Sequence, residues 1–101
     1  MSVEDDVYFS FQDEAIRKTL DKLPEKTKAF QNPDYDLKKI IENNADFLLG
    51  ATLTQILDHM NWHIYTDKTP EPTGEQLRKL NNRLFSMAPE FKKTIAKMLG
   101  M

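Results

Sequence analysis

Apolar side chains recur at helical spacing along most of the chain, most strongly between Pro33 and Pro70. The 36 residues between them hold one glycine, Gly50, and from Asn43 to Leu57 the only charged residue is Asp46. Apolar positions spaced by three and four residues mark an amphipathic helix. The pattern predicts a long helix from about Pro33 to Tyr65, opened by Asn32-Pro33-Asp34, where a capping side chain and a proline suit a first turn. Leu37, Ile40, Ile41, Phe47, Leu48 and Ala51 share one side of it. Leu49, Leu53, Ile56, Leu57, Met60 and Ile64 share a side rotated by roughly 150°. The expectation is a central rod whose apolar face switches across Phe47 to Ala51, so that other helices flank it on opposite sides. Gly50 costs about 1 kcal/mol against alanine inside a helix. A close-lying neighbouring backbone is its expected reason, with a break in the helix as the alternative.

Ahead of the rod, Val7, Phe9 and Phe11 alternate with Tyr8 and Ser10, a period of two that suggests an extended arm packing its phenylalanines on the bundle. Ser10, with Asp13 three residues on, resembles a helix N-cap. A first helix is expected from about Phe11 to Leu23 with Ile16, Leu20 and Leu23 inward. Pro24 interrupts it. Residues 24–31 add one further turn with Ala29 and Phe30 inward. Beyond the rod, Thr66 to Pro72 reads as a loop. Thr73 and Gln76 form a capping box, with Glu75 at the positive helix end. A third helix from about Gly74 to Ser86 then directs Leu77, Leu80, Leu84 and Phe85 inward. Met87-Ala88-Pro89 reads as a tight turn, and Pro89 opens a fourth helix carrying Phe91, Ile95, Met98 and Leu99. Gly100 closes it. The whole is one all-α domain, a small bundle of about four helices around a long central one, with an extended or short-helical N-terminal arm over residues 1–10.

Composition narrows the function only by exclusion. The chain has 101 residues, net charge −2 and no cysteine, so disulfides, thiol catalysis and cysteine metal sites drop out. No basic-then-apolar leader is present, and no apolar run approaches a membrane span. A cytoplasmic protein without membrane contact is the expectation. Charge is uneven. Residues 1–36 carry nine acidic and five basic side chains, and residues 70–101 carry three and six. Opposite charge at the two ends predicts intramolecular pairing, with pairing between subunits or two separate partners as alternatives.

Four features are candidate sites. His59 and His63, four apart on a helix, project from one face and can share a zinc or nickel ion. A third ligand has to come from another segment or subunit. The plainer reading is a partly exposed pair beside Trp62. Trp62 and Tyr65 are residue types enriched at binding hot spots, though a lone tryptophan also serves a small core. Phe9 and Phe11 join them as partner-binding candidates. Arg78, Lys79, Arg83, Lys92, Lys93 and Lys97 make the last two helices basic and suggest phosphate contacts. Yet the final helix offers few base-reading side chains, and its turn lacks the glycine usual in a helix-turn-helix. The acidic run Glu4-Asp5-Asp6 offers a basic partner a dock, or is a solvated terminus.

No glycine-rich phosphate loop, cysteine nucleophile or serine–histidine–carboxylate set is evident. The pattern points away from an enzyme. It points to a small binding or regulatory protein acting through protein contacts or self-association as a homodimer. A nucleic-acid-binding regulator using residues 73–99 is the second reading, and a metal-responsive protein centred on His59 and His63 the third.

Overall fold

The computed structural model describes residues 3–31 and 43–100. Four helices follow in order: α1, Asp5–Asp21; α2, Leu23–Phe30; α3, Asn44–Thr66; and α4, Gly74–Met98. No strand occurs among the described residues, and no described helix is long and apolar enough to cross a membrane. The fold is a small all-α bundle.

The N-terminal segment is helix, not an extended arm. Asp5 and Asp6 lie in its first turn, where carboxylates suit the positive end of the helix dipole. Tyr8, Gln12, Ala15 and Thr19 face inward, a helical stripe in which two of four residues are polar. The alternation of Val7, Phe9 and Phe11 picked out only the flanks of this stripe. Ser10 is an exposed residue within α1 and caps nothing. Ile16 and Leu20 pack at the core's margin. Pro24 separates α1 from α2 as expected, in the first turn of the new helix. Leu23, Thr27 and Phe30 are buried there, whereas Ala29 is exposed.

Asn43 starts α3, its side-chain oxygen accepting from the Asp46 backbone N–H at 3.0 Å. The expected start at Pro33, with Leu37, Ile40 and Ile41, lies outside the described residues. The face switch does not occur in α3. Ala45, Leu48, Thr52, Ile56, Met60 and Ile64 form one buried stripe. Thr52 is the link that the apolar pattern lacked. Its hydroxyl donates to the Leu48 carbonyl at 2.7 Å, which satisfies the polar group inside the stripe. Phe47 and Ala51 lie on the exposed side. The helix runs unbroken through Gly50, and a Cβ there would meet nothing within 4 Å. No backbone among the described residues explains that glycine.

The largest correction concerns α4. The third and fourth helices are one, and Met87-Ala88-Pro89 is part of it. Thr73 and Gln76 make the capping box, each side chain accepting from the other's backbone N–H. Leu80, Leu84, Met87, Phe91, Ile95 and Met98 then face the bundle at spacings of three and four, unbroken across Pro89. Burying this stripe outweighs the roughly 3 kcal/mol that an interior proline costs. Phe85, whose carbonyl the proline cannot bond, is exposed along with Pro89, so water can serve it. Gly100 (φ 77°) turns the chain out of the helix.

The core has two parts. Tyr8, Ala15, Ile56, Met60, Ile64, Leu80, Leu84 and Phe91 join α1, α3 and α4. Leu23, Phe30, Ala45, Leu48 and Ile95 seat α2 across the other end. Leu20 and Leu49 touch both. Helix α3 is therefore central, with α1 and α4 against neighbouring flanks of a single buried stripe; among the described residues the rest of its circumference is open apart from Phe47, whose ring stacks on Phe30 at 5.5 Å.

Candidate functional site

Along the seam between α1 and α4 the contacts are polar. Gln12, buried, donates from Nε2 to the Leu80 carbonyl at 3.0 Å and accepts from Arg83 Nη1 at 2.9 Å. Arg83 also pairs with Asp13 at 2.6 Å and lies 5.1 Å over the Phe9 ring. At the start of the seam Lys79 meets Asp5 at 2.8 Å, and the Gln76 amide donates to Asp5 and to the Val3 carbonyl. The Lys79 ammonium, then the Gln76 amide, hold the Asp5 carboxyl below the ordinary 3.8. The same contact raises the Lys79 pKa. The acidic front and the basic end of the chain thus pair within the molecule.

The opposite flank of α4 is unlike this. Between α3 and α4 runs a trough of about 690 Å³. Met60, Ile64 and Leu80 form its floor. Leu57, Asn61 and Tyr65 line one wall at successive turns of α3, and Leu77 and Asn81 line the other. Phe85 continues the second stripe one turn on. Each wall thus reads apolar, amide, aromatic at spacing four. Leu57 is 39% exposed, Tyr65 85%, Leu77 46% and Phe85 58%. The loop from Lys68 to Pro72 closes one end of the trough. Lys68, in the left-handed region (φ 55°), starts the reversal, and the Tyr8 hydroxyl pins the loop by donating to the Pro70 carbonyl. Further along, Asp46 and Lys92 bridge α3 and α4 at 2.7 Å. Between those ends the two walls carry no charge, so what they offer chemically is apolar area with two amides.

The sequence-selected residues are scattered by comparison. Trp62 is 57% exposed and therefore no core residue. It lies on another flank of α3, in a recess with Lys18, Asp21, Lys22, Asp58 and His59. Tyr65 belongs to the trough. Phe9 and Phe11 face inward contacts, Phe9 beneath Arg83 and Phe11 edge-on to Tyr8 and stacked on His63 at 5.9 Å. His63 is thus occupied by an aromatic ring, with Trp62 edge-on to its other side. No three His, Cys, Asp or Glu side chains converge on a metal-sized site among the described residues, so the third ligand that His59 and His63 need is not found among them.

The basic pair of helices is one helix, which removes the helix-turn-helix geometry. Its cations are mostly engaged: Lys79, Arg83 and Lys92 as above, Arg78 with Glu75 and Lys93 with Glu90. Only Lys97 of the six lacks a carboxylate partner among the described residues.

No family model, curated protein or solved structure matches this chain. The site therefore rests on geometry alone. Sequence reasoning missed Leu57, Asn61, Leu77, Asn81 and Phe85. It assigned the three apolar ones to the core by type. The signal that separates them is that Leu77 and Phe85 flank the Leu80–Leu84 stripe, with asparagine rather than an apolar residue between them.

Proposed function

We propose that this is a non-enzymatic binding protein that works through protein contacts, and that its binding face is the trough between α3 and α4. One observation carries the reading: Leu57, Tyr65, Leu77 and Phe85 lie exposed along a recess with uncharged helix walls and a buried apolar floor. At areas typical of such side chains the four expose on the order of 500 Å², the size of the largest patch on a typical monomer. Aromatic anchors around an apolar centre are the composition of interface cores. Five of the six cations along α4 face a carboxylate of the same molecule, which lowers the positive field a phosphate would meet.

Photo-crosslinking tests the reading. A photoreactive side chain at Asn81 faces the trough, and one at Asn82 is turned about 100° away. In cells making the protein, position 81 is expected to give a discrete protein adduct and position 82 none. Equal, diffuse labelling at both positions would overturn it.

A further inference from the structure

The trough has properties that select one occupant. On its two helix walls the polar side chains, Asn61 and Asn81, are amides, each both donor and acceptor, while Lys68, Thr69 and Glu71 line its closed end. An amide can therefore face its own copy and satisfy it, which a lysine or glutamate cannot do. The helix walls carry no charge, and the two charges that line the closed end, Lys68 and Glu71, are of opposite sign, so a two-fold arrangement need not set like charges against each other. The recess and the projecting rings lie on one face: a hollow floored by Met60, Ile64 and Leu80, and beside it Tyr65 and Phe85, the most exposed of the described aromatics. A symmetric interface uses the same patch on both subunits, so that patch must hold both the projection and the hollow that receives it.

Gly50 adds an independent observation. Counting turns from Leu57, it lies on the same flank of α3 as Asn61. It costs helix stability, and none of the described residues approaches it. A glycine that no described neighbour requires fits close approach by something beyond the described bundle. With Gly50, Thr54, the two asparagines and Ala88 added to the four apolar residues, the face reaches roughly the 800 Å² per partner of a standard interface.

From these we infer that the occupant is a second copy of this chain, docked trough to trough about a two-fold axis, with Phe85 and Tyr65 of each copy seated against the other's floor. The inference rests on the proposed binding face and adds the identity of the partner. It also assigns the asparagines a role, as a polar layer that sets the register of the two copies while the apolar residues supply affinity.

Sedimentation velocity with light scattering, over a range from low to high micromolar, reads the outcome. The native chain is expected to move with concentration toward twice its 11.8 kDa mass. Phe85→Asp places like charges across the two-fold and is expected to weaken association about tenfold or more. Because Phe85 is exposed, its melting temperature measured at high dilution stays near native. Trp62→Ser, on another flank, leaves association unchanged. A chain that stays monomeric at the highest concentration overturns the inference, as does a dimer indifferent to Phe85→Asp. If the chain is monomeric and a crosslinker at Asn81 still captures one discrete species of another mass, the binding face stands and its partner is a different protein.

Discussion

The two flanks of α4 invert the usual order. Toward α1 it presents Gln76, Lys79 and Arg83, all polar and all engaged with Asp5, Gln12 or Asp13. Toward the trough it presents Leu77, Asn81 and Phe85, mostly apolar and open. A helix stabilised only by its own fold would be expected to bury the second set and wet the first. Here the polar seam belongs to the fold, and the apolar flank is left open. Hydrogen bonds and ion pairs orient α1 on α4, and they free apolar side chains for an external surface.

Substitutions break or sharpen this contrast. Leu84, fully buried beneath both flanks, is the shared support. Leu84→Ala is expected to cost about 2–5 kcal/mol in urea unfolding. On the polar flank, Gln12→Ala removes a buried second donor from the Leu80 carbonyl and an acceptor from the charged Arg83. A loss of about 1–3 kcal/mol is expected, and a near-neutral result would mean the seam is not structural. Pro89→Ala addresses the helix that carries both flanks. It restores the bond to the Phe85 carbonyl, and the chain should gain up to about 2 kcal/mol once the lost unfolded-state restriction is subtracted. In a tight turn, the same substitution would destabilise.

The smallest effect is one of pH. The folded-state pKa of Asp5 lies below its ordinary 3.8 because Lys79 and Gln76 donate to the carboxylate. The contribution is complete above 3.8 and fades as pH falls below that value through the folded pKa. Asp5→Asn should therefore differ from the native chain at neutral pH and converge with it on acidification. A gap that widens toward low pH would contradict the pairing. Because the pair lies at the surface, the gap is expected to shrink with salt.

The fold class was legible because its signals are local and redundant: the capping box at Thr73, the break at Pro24 and the closing Gly100 are where their residue types place them. What misled was the use of residue type as a proxy for burial. Thr52, Gln12 and Thr19 are polar yet buried, the first two with hydrogen bonds that no linear pattern displays. Their presence split one stripe of α3 into two apparent faces and made the start of α1 look extended. Pro89 misled in the opposite sense. A strong local breaker lost to a long-range term, although the three-and-four spacing from Leu80 to Met98 runs through it and was there to be read. Of the trough only Tyr65 was singled out, since Leu77 and Phe85 differ from core residues only in which neighbours the fold brings to them.

The central claim is that the apolar flank of α4 is surplus to the fold. Urea unfolding of Leu77→Ser/Phe85→Ser, at a protein concentration too low for association, tests it most directly. The account predicts a stability within about 0.5 kcal/mol of the native chain. A loss of about 2 kcal/mol or more, the mark of side chains that were packed, would contradict it.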